Sequence, residues 1–248
     1  TTFNVNMTEL TGDKDPLYGN GEKTKTIEGE EPAFFYGYVA DGIFQSQEEI
    51  DNSPTQNLGS TVKPGDIKYR DVNGDGKIDG SDQVMISPYG TTPRIQYGLG
   101  MNVTYKKFDF GVFFNGSAKR TIMISGISPF GQSDYNVMQF IADDYWSESN
   151  PNPNAKYPRL TSEGSANNYT TNSLWVADAS YMKLRTLELY YNFSQEMMKK
   201  SKFIKGAKVF ARGHDLFCVD KIKVLDPENI GTNHPTMTQY TFGVNLSF

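Results

Sequence analysis

Between Arg94 and Gly116 the chain reads RIQYGLGMNVTYKKFDFGVFFNG, and the alternation there limits the fold more than any other feature. Ile95, Tyr97, Leu99, Met101, Val103 and Tyr105 are large and apolar, while Gln96, Gly98, Gly100, Asn102 and Thr104 between them are small or polar. Successive side chains leave opposite faces of a strand, so a period of two means a strand with one greasy face and one wet face. After Lys106-Lys107 the pattern resumes with Phe108, Phe110, Val112 and Phe114. A turn at the two lysines brings Tyr105 opposite Phe108, Val103 opposite Phe110 and Leu99 opposite Phe114. Both apolar faces then coincide, as a hairpin requires. On the other face Phe113 stands across from Gly100, where an aromatic ring covers a strand glycine. Each strand has roughly the 9–11 residues that a tilted strand needs to cross a bilayer. A soluble antiparallel sheet also alternates, so the hairpin alone leaves both readings open.

The last twelve residues, MTQYTFGVNLSF, favour the membrane. Tyr240, Phe242, Val244, Leu246 and Phe248 alternate with Gln239, Thr241, Gly243, Asn245 and Ser247 up to an aromatic final residue. Ends of soluble domains usually fray, whereas a closing barrel strand is held to its last residue. Short connectors (Lys106-Lys107, Ser194 to Lys205) alternate with long ones (45–93, 117–172 and 221–235), which is the asymmetry of a barrel with short inner turns and long outer loops. The expected fold is all-β: an antiparallel up-and-down transmembrane β-barrel segment with long extracellular loops. Seven strands are expected, near residues 5, 38, 100, 112, 184, 211 and 243, forming an open arc of a larger barrel. The strand at Pro32 to Phe44 bends at Gly37 and Gly42. A phase slip between Leu184 and Leu187 places a bulge near Arg185-Thr186. One helix is expected at Tyr135 to Trp146, capped by Ser133 or Asp134. Tyr36, Tyr38, Tyr97, Tyr190 and Tyr191 near strand ends suit an aromatic girdle.

Composition narrows the function classes. No run approaches the roughly 18 apolar residues of a membrane helix, and mean hydropathy is -0.55, neither of which speaks against a barrel. A net charge of -5 with no basic stripe argues against a nucleic-acid partner. The single cysteine, Cys218, excludes an internal disulfide. The opening TTFNVN has neither Met nor a signal segment, so a processed product or an excised piece is expected.

Asp71 to Asp82, DVNGDGKIDGSD, has the spacing of a calcium loop, with candidate ligands Asp71, Asn73, Asp75, Lys77 (through its carbonyl), Asp79 and Asp82. Alternate oxygens can turn toward one centre, and Gly76 permits the sharp turn. Asp82 is shorter than the usual bidentate Glu, and flanking helices are missing. The competing reading is a loop held by its own side-chain hydrogen bonds. Tyr145, Trp146, Tyr157 and Tyr169 either stack on sugar rings or pack the long loop against the barrel rim. His214, His234 and Cys218 have neither metal-ligand spacing nor a base partner, so no catalytic residue is expected.

Several motifs together resemble the SusC/RagA family of TonB-linked outer-membrane transporters of Bacteroidetes. They are FYGYVADGIFQS (Phe35 to Ser46), PGDIKYRDVNGDGKIDGSD (Pro64 to Asp82), IQYGLGMNVTYKKFDFGVFFNG (Ile95 to Gly116), DYWSESNPNPNAKYPRL (Asp144 to Leu160), ASYMKLRTLELYYNF (Ala179 to Phe193) and YTFGVNLSF (Tyr240 to Phe248). The resemblance covers nearly the whole chain, in order, and corresponds to the family's C-terminal third, without its plug domain. GHDLFCVD (Gly213 to Asp220) and the Lys-Lys turn depart from the family pattern. The resemblance implies residence in the bacterial outer membrane and TonB-driven import of oligosaccharides or peptides. It also implies a SusD-like lipoprotein partner, with TonB engaged through the absent N-terminal part. A different class of function, a secreted calcium-binding β domain that recognises glycans, separates from it on whether the apolar strand faces meet lipid or a core.

Overall fold

The computed structural model describes residues 17–18, 24–26, 34–124, 137–161, 165–198, 203–223, 225–229 and 236–248. The chain divides into two compact units, Thr1–Thr92 with Thr121–Asp178, and Pro93–Arg120 with Ala179–Phe248.

The second unit is one five-stranded antiparallel meander: β1 (Ile95–Tyr105), β2 (Phe108–Ala118), β3 (Tyr181–Asn192), β4 (Gly206–Asp220) and β5 (Gln239–Ser247), each paired with its sequence neighbour. The hairpin register is the expected one: Tyr105 faces Phe108, Val103 faces Phe110, Leu99 faces Phe114 and Phe113 faces Gly100. Lys106 takes the left-handed conformation, φ 55°, that a two-residue turn needs. The phase slip is a bulge. Between Leu184 and Thr186 on β3 the register shifts against both neighbours, leaving Arg185 unpaired. The slip keeps both Leu184 and Leu187 on the apolar face.

Pairing carries the alternation across all five strands. One central row reads Val103, Phe110, Leu189, Ala211, Phe242, and a second reads Tyr105, Phe108, Tyr191, Val209, Val244. Many of these side chains are exposed, Leu99 to 70%. A contiguous exposed apolar face of this extent is foreign to a soluble monomer. Four strands were placed at residues 100, 112, 211 and 243 and a fifth at 184, and all five lie in this sheet. The strand expected near residue 5 falls outside the described residues.

The strand expected near residue 38 belongs elsewhere. Phe34–Gly37 pairs with 24–26 and with Val84–Ser87 in a separate four-stranded sheet of the first unit. Phe34, Phe35 and Tyr38 are buried there, so Tyr38 is a core residue and not part of a girdle. The chain does turn at Gly42, with φ +128°.

Nor are 45–93 and 117–172 structureless loops. With 173–178 they supply most of the described first unit. It has strands of two to four residues, among them Thr55–Gln56, Ile67–Tyr69 and Lys77–Ile78, and a core of Tyr38, Ile67, Tyr69, Ile78, Ile141 and Trp175. Trp175 is 0% exposed. Strands that short leave no period to read, which is why the region looked irregular. The expected helix is a single turn, Gln139–Ala142, preceded by Met138, which makes no side-chain cap bond. Ser133 and Asp134 lie outside the described residues. Buried polar groups tie distant segments of this unit together. The Asn168 amide donates to Asp66 Oδ1 (2.8 Å), Asn167 to the Ile67 carbonyl (3.0 Å) and Asn172 to the Tyr69 hydroxyl (2.9 Å). Burial without partners would be costly, and each is paired.

Candidate functional site

Behind the apolar rows the same strands present a polar face. Its rows read Thr104, Asp109, Tyr190, Phe210, Gly243 and Asn102, Gly111, Glu188, Arg212, Thr241. Asp109 accepts from Thr104 at Oδ1 (2.9 Å) and from Asn192 at Oδ2 (2.8 Å), and the Lys208 ammonium stands 3.3 Å from that same Oδ2. The Lys208 ammonium also lies 4.0 Å from the centre of the Tyr190 ring. Arg212 pairs with Glu188, and its guanidinium donates to the Tyr190 hydroxyl (2.6 Å). Charges of both signs thus cover this face and neutralise one another, which is how a wet wall differs from a packed interior.

Toward the other end of β3, the bulge aims Arg185 at Asn115, Asp215 and Glu228. Lys183, buried, donates to Asp226 (2.8 Å) and Glu228 (3.1 Å). These bonds pin part of the expected loop 221–235 to the sheet. Arg120 adds a bond to the Pro227 carbonyl (2.7 Å). Burial alone would raise the Asp226 carboxyl. Hydrogen bonds from Lys183, from Thr236 and from the Glu228 amide outweigh it and hold the group well below the usual carboxylate range. Sequence reasoning missed this cluster. Lys183 and Arg185 carry no local pattern, and their partners lie 30 to 45 residues further on or, for Asn115, 70 residues back.

The six candidate calcium ligands share one exposed loop, with Asp82 buried beneath it. Their oxygens face backbone amides: Asp71 accepts from Gly74 (2.7 Å) and Gly76 (2.8 Å), Asn73 from Asp75 (2.9 Å), and Asp75 from Lys77 (2.9 Å). Asp79 accepts from Ser81 (2.9 Å), and Asp82 from Val72 and Asp79 (2.9 Å each). Among the described residues no group of three Asp, Glu, His or Cys side chains is drawn together as a metal centre. The side chains thus bond the loop's own amides. Each carboxylate oxygen that accepts one N–H keeps a second lone pair, and an all-oxygen donor set is the chemistry a hard cation takes.

All four aromatic candidates lie in the first unit, three of them in packed surroundings. Trp146 is 3% exposed and donates its indole N–H to Gln45 (2.9 Å), so its faces are unavailable to a sugar. Tyr157 stacks on Trp175 at 6.0 Å and bridges Tyr145. Tyr169 packs on the same core, where burial pushes its hydroxyl up to about 12. Of the two readings, the loop-packing one describes Trp146 and Tyr157. His214 sits on β4 within 3.4 Å of Thr186, Cys218 is half-buried, and His234 lies outside the described residues.

No family model matches the chain. A TonB-dependent receptor of Formosa agariphila is 30% identical over 94% of this chain, and the SusC TonB-dependent receptor of Bacteroides thetaiotaomicron is 25% identical over all of it. Among solved structures, the RagAB peptide importer in its open-open state aligns with a TM-score of 0.67 at 19% identity over 94% of the chain. Its closed-closed state aligns with a TM-score of 0.65 at 20% identity over the whole chain. The chain spans about a quarter of the length of these relatives. A meander with one lipid-type face and one hydrated face is the wall of their barrels, and with these similarities the chain belongs to the TonB-dependent receptors of the SusC/RagA type, corresponding to their C-terminal portion.

Proposed function

We propose that this chain is part of the wall and outer face of an outer-membrane importer of large nutrients, oligosaccharides or peptides, rather than of an enzyme. The observation that carries the reading is the sheet itself, with its exposed apolar rows on one face and its paired charges on the other. In a bilayer the first face meets lipid and the second lines an aqueous lumen. A secreted glycan-binding domain would have to hide the apolar face, and no described residue covers it. The first unit contains most of the long connectors 45–93 and 117–172, and in a barrel's asymmetry the long connectors are the outer ones. That unit is the natural surface for a SusD-like lipoprotein, and energy would come from TonB through sequence outside this chain. Purification of the intact protein from native membranes should bring a surface lipoprotein with it. Deletion should abolish growth on at least one glycan or peptide source. Purification without any lipoprotein, together with normal growth of the deletion strain on every glycan and peptide source, would end the reading.

The same proposal includes Ca²⁺ at Asp71 to Asp82 as a clamp on the outer unit, supported by the ligand spacing. Carboxylates gathered in a short loop repel unless a cation or solvent screens them. Bound ion would stabilise the loop by RT ln(1 + [Ca²⁺]/Kd), about 2.7 kcal/mol at a hundredfold excess over Kd. Titration calorimetry at millimolar Ca²⁺ should show heat that Asp75→Ala removes. Absence of heat, with unchanged protease sensitivity near Gly74, leaves only the turn.

A further inference from the structure

Near the start of β1 the polar face of the sheet holds a groove of about 630 Å³, whose lining includes Gln96, Phe113, Asn115, Ser117, Arg120 and Glu228. That volume is in the range of small-ligand sites. Three successive rungs of the hairpin build it: Gln96 opposite Ser117, Gly98 opposite Asn115, and Gly100 opposite Phe113. Ser117 is 4% exposed, and its hydroxyl has no hydrogen-bond partner among the described residues. A buried hydroxyl left unpaired is unfavourable, so the wall of this groove contains an unmet demand for a polar partner. Asn115 accepts at Oδ1 from the Arg185 guanidinium (3.1 Å), which leaves its Nδ2 donors for another group. Gln96 is exposed at the rim.

Charge is not what the groove offers. Glu228 is committed to Lys183 and Arg185, and Arg120 donates to the Pro227 carbonyl. What remains is neutral amide and hydroxyl chemistry beside an aromatic ring. Phe113 leans across two residues without side chains, and a Cβ at Gly98 or Gly100 would stand 3.2 or 3.4 Å from its ring. Phe113 is nevertheless 41% exposed on a mostly polar face.

We infer that this groove is a subsite for a neutral, hydroxyl-bearing ring, one sugar unit of an oligosaccharide. The C–H face of the ring rests on Phe113, and its hydroxyls bond to Gln96, Asn115 and Ser117. A pocket that pairs an aromatic surface with a few placed polar groups discriminates by leaving those groups unsatisfied when the wrong ligand enters. A peptide would ask instead for partners to charged side chains, and the ions here are already paired. The inference rests on the polar face being the lumen of an importer, and narrows what that lumen takes.

The test uses the full-length transporter, purified in detergent with whatever lipoprotein accompanies it. The probes are six-unit linear α-glucan, β-glucan and β-mannan oligosaccharides, with neutral hexapeptides as the counter-probe. At least one oligosaccharide should bind. Phe113→Ala should weaken it about tenfold, an aromatic contact's worth of affinity. Ser117→Ala should weaken it roughly threefold and leave thermal stability equal or slightly higher, because the orphaned hydroxyl is gone. Equal binding by wild type and both variants would overturn the subsite, as would no oligosaccharide binding at millimolar concentration. Loss of hexapeptide binding in the variants would overturn it in favour of a peptide groove. In each of these cases nutrient uptake by wild-type cells would persist, whereas failure of the import reading would show as no uptake at all.

Discussion

The two units use similar residues under opposite conditions. In the first, Phe34, Phe35, Tyr38, Tyr69 and Trp175 are buried, and their polar groups are paired: Trp175 donates to the Asn168 carbonyl, Tyr69 to the Asn167 carbonyl, and Gln83 donates to the Tyr38 hydroxyl. In the second, Leu99, Val103, Phe110 and Phe242 lie exposed on the sheet, and the polar groups are collected on its reverse face. The first unit makes its own apolar interior; the second presents apolar surface to a solvent that is itself apolar. Hydrophobic burial therefore stabilises the first directly, whereas the sheet depends on its hydrogen-bonded ladder and on the lipid around it.

The largest expected effect breaks the first unit alone. Trp175→Ala removes a fully buried indole stacked on Tyr157 and bonded to the Asn168 carbonyl (2.6 Å). It should cost about 3–5 kcal/mol, enough to unfold a marginal unit. Limited proteolysis should then cut within 34–92 and 137–178 while β1–β5 stay protected in detergent. Simultaneous loss of the strands would mean that the two units do not differ in what holds them together.

A smaller effect compares two neighbours on one strand. Val103 lies in the central apolar row and Asn102 beside it in the polar row. Val103→Arg should destabilise the protein in lipid by about 1–3 kcal/mol, the cost of a cation on the lipid face between midplane and interface, since Val103 lies two residues from the end of β1. Asn102→Arg, facing the row that contains Glu188, should cost under about 1 kcal/mol. Urea unfolding in lipid vesicles measures both. Equal costs would mean that both faces are wet.

The contrast between the units also explains what could be read in advance. A two-faced strand of eleven residues writes its environment into every second position, so the hairpin register, the phase slip at Arg185 and the terminal strand were all legible. Phe113 over Gly100 was legible for the same reason, although its reach to Gly98 and the matching cover of Gly243 by Phe210 were not. In the first unit, core residues are spread from Tyr38 to Trp175 over strands of two to four residues, too short for a period to appear. For its aromatics, sugar stacking and loop packing therefore stayed open in the sequence, and Trp146 and Tyr157 are found packed. The Ser117 groove was invisible for a simpler reason: an unpaired hydroxyl is a property of three-dimensional neighbours, and serine carries no sequence signal for it.

The smallest expected effect concerns the segment that the sheet holds over its polar face. Asp226 accepts from the Glu228 amide (2.9 Å), the Thr236 amide (3.0 Å) and Lys183, and it stays ionised well below the ordinary carboxylate range despite its burial. Glu228 is shifted the same way: burial raises it, but bonds from Arg185 and Lys183 prevail. A carboxyl whose folded-state pKa is depressed contributes its full stabilisation above the unfolded value, about pH 4, and loses it as pH falls through the folded value. Between pH 7 and 5 the segment should therefore be unchanged, and below about pH 4 it should loosen progressively without unfolding the strands. Hydrogen exchange at the Glu228 and Thr236 amides, corrected for intrinsic rates, reads this directly. Asp226→Asn keeps the shape but removes the charge, so at neutral pH its amides should already exchange as fast as the acidified wild type's. Exchange that stays flat down to pH 2, or an Asn variant as protected as wild type, would show that the segment is held by its packing and not by this ion cluster.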